Sequence, residues 1–144
     1  MTEQSVVRIL LVDDFEPFRE FVRSKIQIQP HLVVVCEVSD GLEAVHQAHE
    51  LQPGLIVLDI GLPSLDGMEA AKQIRTVSPD SKILFVSQES SPTVVQEAFR
   101  LGASGYVVKS DGFEISNAIN AVLRGERFVS KSLMGYDIPE ASTN

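Results

Sequence analysis

Cysteine, basic residues and long apolar runs are all scarce in this sequence. The single cysteine, Cys36, excludes an intrachain disulfide, and its apolar surroundings favour a core side chain. No apolar run reaches the roughly 18 residues of a membrane-spanning helix. The N-terminus also lacks the long apolar region of a signal peptide. We therefore expect a soluble, cytoplasmic protein.

Positive charge is the second scarcity. The chain has 12 Lys and Arg residues against 20 Asp and Glu residues, and its net charge at pH 7 is −8. An acidic surface of this kind repels nucleic acid and anionic lipid, so we expect no DNA binding and no membrane binding by this chain. Hydrophobic residues nevertheless make up 44% of the 144 residues, which is the balance of one globular domain.

Short apolar runs are what the sequence does have, and segments with helical spacing separate them. Runs rich in Val, Ile and Leu without strict alternation are typical of parallel strands covered on both faces. Five strand–helix pairs predict an α/β fold with right-handed crossovers and a doubly wound parallel sheet. The predicted strands are 7–12, 32–38, 55–59, 82–87 and 105–109.

Helix boundaries and the C-terminal end carry further signals. Asp40 with Glu43 and Asp111 with Glu114 have the spacing of capping boxes before the second and fifth predicted helices. Residues 126–144 end in a polar stretch that contains a proline and has no periodicity. We expect residues 126–144 to form a short tail whose polar end, GYDIPEASTN, is loose.

Polar and charged residues stand at the ends of four predicted strands. The carboxyl ends of parallel strands lie at one edge of the sheet, and ligands bind there where the strand order reverses. If strands 1 and 3 are neighbours, as in the flavodoxin-like order 2-1-3-4-5, the acids at their ends converge. The strand-end residues are Asp13 and Asp14, Asp59, Ser87 and Lys109.

Three convergent carboxylates are unfavourable without a cation, so these acids predict a site for Mg²⁺, a hard ion that prefers oxygen ligands. A metal ion and Lys109 around carboxylates suit phosphoryl transfer, in which positioning and charge neutralisation supply most of the catalysis. One carboxylate could act as the nucleophile and form an aspartyl-phosphate. Asp59 suits that role because it stands alone at a strand end, which leaves Asp13 and Asp14 to hold the metal.

Four segments of the chain resemble the receiver domain of two-component response regulators. They occur in the order and spacing of that family across about residues 6 to 125. The stretches LGASGYVVKSDG and AINAVLRGERFVSKSL are most similar to the nitrate-regulator, or LuxR-type, subfamily, whose members carry a C-terminal helix-turn-helix. The four segments are LLVDDF, LIVLDIGLPSLDGME, FVSQE and GASGYVVKSD.

The resemblance implies a phosphoryl acceptor and a metal site. Asp59 matches the acceptor and is also one of the ligands of Mg²⁺ or Mn²⁺. Asp14 matches a direct metal ligand, and Asp13 matches a ligand that acts largely through water. The backbone carbonyl of Gly61 matches a further ligand. Gly61 has no side chain to shield an acyl phosphate.

The resemblance also implies a conformational switch. Ser87 matches the switch hydroxyl, Tyr106 the switch aromatic, and Lys109 the lysine that contacts the phosphoryl group. Phosphorylation would draw Ser87 inward and let Tyr106 move into the space beside it. The surface of helix 4, strand 5 and helix 5 would then differ between the two states.

Two other functions compete with a phosphoacceptor. A flavodoxin-like flavin carrier needs a phosphate-binding loop rich in Gly, Ser and Thr after strand 1. Here that loop is DDFEPF, whose acids repel phosphate in the absence of a metal. An Mg²⁺-dependent phosphatase with an aspartyl nucleophile needs a general acid two residues after it, and Gly61 stands there. We therefore expect a signalling domain that catalyses only its own phosphotransfer and dephosphorylation.

The output of the domain is left open. We expect residues 6–125 to form the receiver domain and residues 126–144 to form a short tail or the start of a linker. A helix-turn-helix would need roughly 50 further residues and would make the whole protein a transcription regulator. The alternative is a stand-alone receiver that acts in a phosphorelay or in protein interaction. The expected partners are a sensor histidine kinase or a phosphotransfer protein and, after phosphorylation, a second copy of the chain.

Overall fold

The computed structural model describes residues 5–134, in which strands and helices alternate. The strands are β1 (Val7–Val12), β2 (Leu32–Val38), β3 (Leu55–Leu58), β4 (Lys82–Ser87), β5 (Gly105–Val108) and β6 (Phe128–Val129). The α-helices are α1 (Glu16–Gln27), α2 (Gly41–Leu51), α3 (Gly67–Val77), α4 (Pro92–Arg100) and α5 (Ile115–Leu123). Two 3-10 helices span Lys109–Glu114 and Lys131–Leu133.

The strands form one parallel sheet in the order β2-β1-β3-β4-β5-β6. The predicted flavodoxin-like order 2-1-3-4-5 is therefore confirmed, and β6 is added beside β5. The strand order reverses at β1, because β2 lies on one side of it and β3 on the other. Ligand sites in such sheets lie beyond the carboxyl ends of the strands at this reversal.

The sheet is buried on both faces, which explains the continuous apolar runs. Successive side chains of a strand point to opposite faces. Ile9 and Leu11 of β1 belong to the core that α1 and α5 cover, whereas Leu10 and Val12 belong to the core that α2, α3 and α4 cover. All four side chains are at most 1% exposed, so a strand with this position in the sheet contains no polar face.

Asp40 is confirmed as the cap of α2, which supplies one of the two hydrogen bonds of a capping box. Asp40 accepts a hydrogen bond of 2.8 Å from the backbone amide of Glu43 at the start of α2. The prediction for Asp111 is wrong, because its carboxylate accepts a hydrogen bond of 2.8 Å from the backbone amide of Ser132 instead. The segment before α5 is a 3-10 helix, and Glu114 precedes α5 without any side-chain cap.

Residues 126–134 of the predicted short tail pack against the domain. Phe128 and Val129 form β6, and Leu133, in the second 3-10 helix, is 1% exposed and belongs to a core cluster. A two-residue strand is too short to show periodicity, and one buried leucine after it gives no helical pattern. The remainder of the predicted tail, residues 135–144, lies outside the described residues.

No helix between residues 5 and 134 combines the length and the apolar character that crossing a bilayer requires.

Candidate functional site

The residues at four strand ends meet at one edge of the sheet. Asp13 follows β1, Asp59 follows β3, Ser87 ends β4 and Lys109 follows β5. Because the strands are parallel and adjacent, their carboxyl ends place these side chains around one cleft. The cleft has a volume of about 290 Å³, and its lining includes Asp14, Asp59, Gly61, Ser87 and Lys109. The predicted site residues are thus brought together, while their chemical roles stay predictions.

Lys109 bridges two of the acids. Its Nζ atom lies 2.8 Å from an oxygen of Asp13 and 3.3 Å from an oxygen of Asp59. The ammonium also lies 4.5 Å from the ring centroid of Phe18, and the lysine side chain is only 14% exposed. Burial by itself lowers the pKa of Lys109, but the hydrogen bond to Asp13 and the charge of Asp59 outweigh it, so that pKa is raised. Lys109 therefore stays charged within the site.

Two of the three acids are buried more deeply than their charge alone would favour. Asp13 is 2% exposed and Asp59 is 7% exposed, whereas Asp14 is exposed. Burial raises the pKa of Asp13, although hydrogen bonds from Lys109 and from the amide of Phe15 partly counteract it. The nearby carboxylate of Asp59 raises it further. The deeper acids thus carry an electrostatic cost that a cation would relieve.

A divalent cation fits this set of donors. One oxygen from each of Asp13, Asp14 and Asp59 lies within 4.8 Å of the others, which confirms the predicted convergence of the acids. Three carboxylates outnumber the single ammonium of Lys109. Oxygen ligands of this kind suit Mg²⁺, which keeps several of its waters and binds through one or two carboxylates. Asp14, Asp59 and the carbonyl of Gly61 could hold the ion, with Asp13 acting through water.

Close backbone contacts fix the loop that follows Asp59. The amide of Ile60 donates to the Asp59 carboxylate at 2.7 Å, and the amide of Gly67 donates to the carbonyl of Ile60 at 2.7 Å. A Cβ atom on Gly67 would lie 1.9 Å from the carbonyl oxygen of Asp59, and one on Gly41 would lie 1.7 Å from the carbonyl oxygen of Leu65. Only glycine permits these two approaches, so α2 and α3 hold the loop in place.

Gly41 is a residue that the sequence analysis missed. It contacts the loop across a large separation in the chain, through its amide, which donates to the carbonyl of Pro63 at 3.3 Å. The only local feature that marks Gly41 in the sequence is its position after Asp40 at the start of a predicted helix. A helix start accepts many residue types, so this signal did not indicate that another backbone lies against it.

Ser87 lines the cleft, and Tyr106 lies beside it. Ser87 Oγ accepts a hydrogen bond of 3.2 Å from the amide of Glu89 and also interacts with the Tyr106 hydroxyl. Tyr106 is fully buried, and burial raises the pKa of its hydroxyl well above the ordinary value. The family resemblance implies that the Tyr106 ring moves inward on phosphorylation. The structure has this ring in the inward position.

Comparisons with known proteins agree with this geometry. A family model described as the response regulator receiver domain matches residues 9–120. Over 131 residues the chain is 35% identical to the transcriptional regulatory protein LiaR of Bacillus subtilis. This match covers 90% of this chain and 62% of that protein. It is 34% identical over 121 residues to the response regulator protein VraR of Staphylococcus aureus, covering 83% of this chain and 58% of that protein.

The chain thus spans 58% to 62% of the length of these two curated relatives. Among solved structures, a two-component response regulator of the LuxR family from an Aurantimonas species is similar with a TM-score of 0.84 and 38% identity. The similarity covers 90% of this chain and 93% of that one.

Proposed function

The chain belongs to the response regulator receiver family, and from this premise we propose that Asp59 accepts a phosphoryl group from a phosphohistidine of a sensor kinase. In this transfer the P–N bond of the donor breaks and a P–O bond to an Asp59 carboxylate oxygen forms. The donor imidazole leaves with the electron pair of the broken bond and takes up a proton from solvent. The observation that supports this proposal best is the cleft lined by Asp14, Asp59 and Lys109, beside which Asp13 brings a third carboxylate oxygen within 4.8 Å of those of Asp14 and Asp59.

The metal would be held by the groups that surround Asp59. Asp14, Asp59 and the Gly61 carbonyl are proposed as direct ligands of Mg²⁺ or Mn²⁺, and Asp13 as a ligand through water. When bound, the ion supplies positive charge that neutralises the phosphoryl oxygens and the crowded carboxylates. The residues themselves orient the acceptor, since the amide of Ile60 and the ammonium of Lys109 each hold one oxygen of Asp59.

Lys109 and Ser87 would stabilise the phosphorylated state. The Lys109 ammonium, now shared between Asp13 and Asp59, can donate to a phosphoryl oxygen, and such charge-assisted hydrogen bonds are strong. The Ser87 hydroxyl can donate to a second oxygen. The phosphoryl group would then favour the state in which Tyr106 is inward, because that state offers it better contacts. The proposed switch surface comprises α4, β5 and α5, and β6 lies beside β5.

The domain limits and the output are part of the proposal. Residues 6–125 form the receiver domain, residues 126–134 pack against it, and the segment 126–144 is a short tail or the start of a linker. A helix-turn-helix in the full-length protein would make phosphorylation control transcription, as the name of LiaR, a transcriptional regulatory protein, suggests. A stand-alone receiver in a phosphorelay is the alternative. In either case we place the domain in the cytoplasm and assign DNA binding to another part of the protein.

A comparison of phosphoryl donors tests the proposal against its competitors. We expect the protein to acquire a phosphoryl group from a phosphorylated sensor kinase and from acetyl phosphate in the presence of Mg²⁺. We expect no catalysed turnover of unrelated phosphomonoesters, because Gly61 stands where a phosphatase would carry a general acid. Multiple-turnover hydrolysis of phosphomonoesters, or tight binding of a flavin without any phosphorylation, would contradict the proposal.

A further inference from the structure

The segment Phe128–Leu133, here called the docked segment, packs along β5, the strand that immediately precedes Lys109. Gly105 and Tyr106 of β5 pair with Phe128 and Val129, and the amide of Ser130 donates to the carbonyl of Tyr106 at 3.0 Å. Leu133 at the far end of the segment is buried in the core. The docked segment thus covers the edge of the sheet nearest to Lys109.

Ser130 contacts the backbone next to Lys109 directly. Its hydroxyl oxygen accepts a hydrogen bond of 3.0 Å from the amide of Val108, and Ser130 itself is 0% exposed. Val108 is the residue before Lys109, whose ammonium reaches Asp13 and Asp59. No water can replace a buried acceptor at this position without opening the segment, so the Ser130 hydroxyl fixes the backbone from which Lys109 extends.

Two more contacts hold the chain on the other side of Lys109. The amide of Ser132 donates to Asp111 at 2.8 Å, and the amide of Lys131 donates to Glu114 at 2.7 Å. Both acceptors belong to the 3-10 helix that begins at Lys109. The hydrogen bonds of Asp111 to Ser132 outweigh the effect of its burial and lower its pKa, so it accepts as a carboxylate. The docked segment therefore holds the backbone before and after Lys109.

A buried serine elsewhere in the sheet provides the contrast. Ser81 is 2% exposed, and its hydroxyl donates to the carbonyl of Pro53 at 2.5 Å. Ser81 precedes β4 and therefore lies at the amino ends of the parallel strands, whereas Asp59 lies at their carboxyl ends. Loss of the Ser81 hydroxyl removes its hydrogen bonds to Pro53 and Ser78. Loss of the Ser130 hydroxyl likewise removes its hydrogen bonds to Val108 and Asp111, but only Ser130 lies beside the strand end that precedes Lys109.

We propose that Ser130 is a positioning residue for the phosphoryl site and that docking of the segment Phe128–Leu133 and phosphoryl binding at Asp59 strengthen each other. The docked segment holds Lys109 where it can donate to a phosphoryl oxygen. Because the lysine is already ordered, less free energy is lost in ordering it when the ligand binds. By linkage, a ligand at Asp59 stabilises the docked segment by the same factor. This inference rests on the proposed phosphoacceptor function.

The test measures the affinity of the whole 144-residue chain for beryllofluoride with Mg²⁺, a mimic of the phosphoryl group, by calorimetry. We expect Ser130→Ala to weaken binding at least fivefold, within the usual range of coupling between sites. Ser130→Thr keeps a hydroxyl oxygen and should restore much of the affinity. Ser81→Ala should lower the unfolding midpoint but leave the affinity at the wild-type value. Glu114→Ala removes one contact near the surface and should weaken binding of the mimic less than Ser130→Ala does. It provides the test of the coupling if Ser130→Ala does not fold.

Amide hydrogen exchange supplies the reverse measurement. The mimic should slow exchange at the amides of Ser130, Lys131 and Ser132 in the wild-type chain by at least fivefold. Wild-type affinity in Ser130→Ala, or an equal loss in Ser81→Ala, would overturn the coupling while leaving the phosphoacceptor function intact. A wild-type chain that does not bind the mimic at all would overturn both.

Discussion

The hydroxyl of Tyr106 donates a hydrogen bond of 2.7 Å to the backbone carbonyl of Glu89. Glu89 in turn donates from its amide to the hydroxyl of Ser87. One backbone residue of the loop between β4 and α4 therefore connects the two side chains of the expected switch. Any movement of Ser87 toward a phosphoryl group would act on Tyr106 through this loop.

The first prediction concerns this connection. Ser87→Ala should still accept a phosphoryl group on Asp59, since Ser87 is not the acceptor, but it should shift the conformation less. Lys109→Ala should accept the group and fail to produce the shift. Amide NMR of each variant with and without beryllofluoride measures the change around Tyr106 and α4. Full wild-type shifts in Ser87→Ala would show that its hydroxyl does not couple the site to Tyr106.

The second prediction concerns the metal. Asp14→Ala should weaken Mg²⁺ binding more than Asp13→Ala, because Asp14 is the proposed direct ligand and Asp13 acts through water. The ion should also stabilise the fold by linkage, by about 2.7 kcal/mol at a hundred times its dissociation constant. Titration calorimetry and thermal unfolding measure the two effects. A melting temperature that does not respond to Mg²⁺ would contradict the site.

The third prediction compares two glycines near the acceptor loop. Gly61→Ala should change the free energy of unfolding by less than about 0.5 kcal/mol, because a Cβ there has no heavy atom within 4 Å. Gly41→Ala should cost about 2 kcal/mol or more, because its Cβ would overlap the carbonyl of Leu65. It should also weaken Mg²⁺ binding by displacing the loop. Denaturant unfolding of both variants measures the two free energies of unfolding. Equal losses of stability in the two variants would contradict the prediction.

The fourth prediction concerns pH. Hydrogen bonds from Arg23 and Arg19 outweigh the burial of Glu37 and lower its pKa. An acid whose pKa falls on folding stabilises the protein above its unfolded pKa, and that contribution is lost as the pH falls through its folded pKa. Glu37→Gln should therefore be less stable than wild type at neutral pH. The difference should vanish at a pH below the lowered pKa of Glu37. Urea unfolding at both pH values measures it, and a constant difference would argue against the ion pair.

The sequence predicts the core sheet and the strand-end site well, for a physical reason. A strand buried on both faces must be apolar throughout, so an acid such as Asp59 after such a run stands out. Parallel topology then requires residues at strand ends to meet, which brings Asp59 to Lys109 although 50 positions separate them. Both inferences need only local patterns and one rule of topology.

The missed contacts share a different origin. Asp111 has the local spacing of a helix cap, yet its partner is Ser132, 21 positions away. Gly41 lies against Leu65, and Ser130 lies against Val108, without any periodic signal that joins the two segments. Such contacts depend on tertiary packing of short irregular pieces, and propensity or periodicity carries no information about them.

The acceptor assignment is the central claim, and one comparison tests it most directly. Wild-type protein and Asp59→Asn are incubated with acetyl phosphate and Mg²⁺, and their intact masses are measured. The asparagine amide has nearly the same shape as the carboxylate but is a poor nucleophile, so the variant should fold and stay unmodified. Wild type should gain the mass of one phosphoryl group, which acid removes. Equal modification of Asp59→Asn, or none of the wild type, would contradict the account.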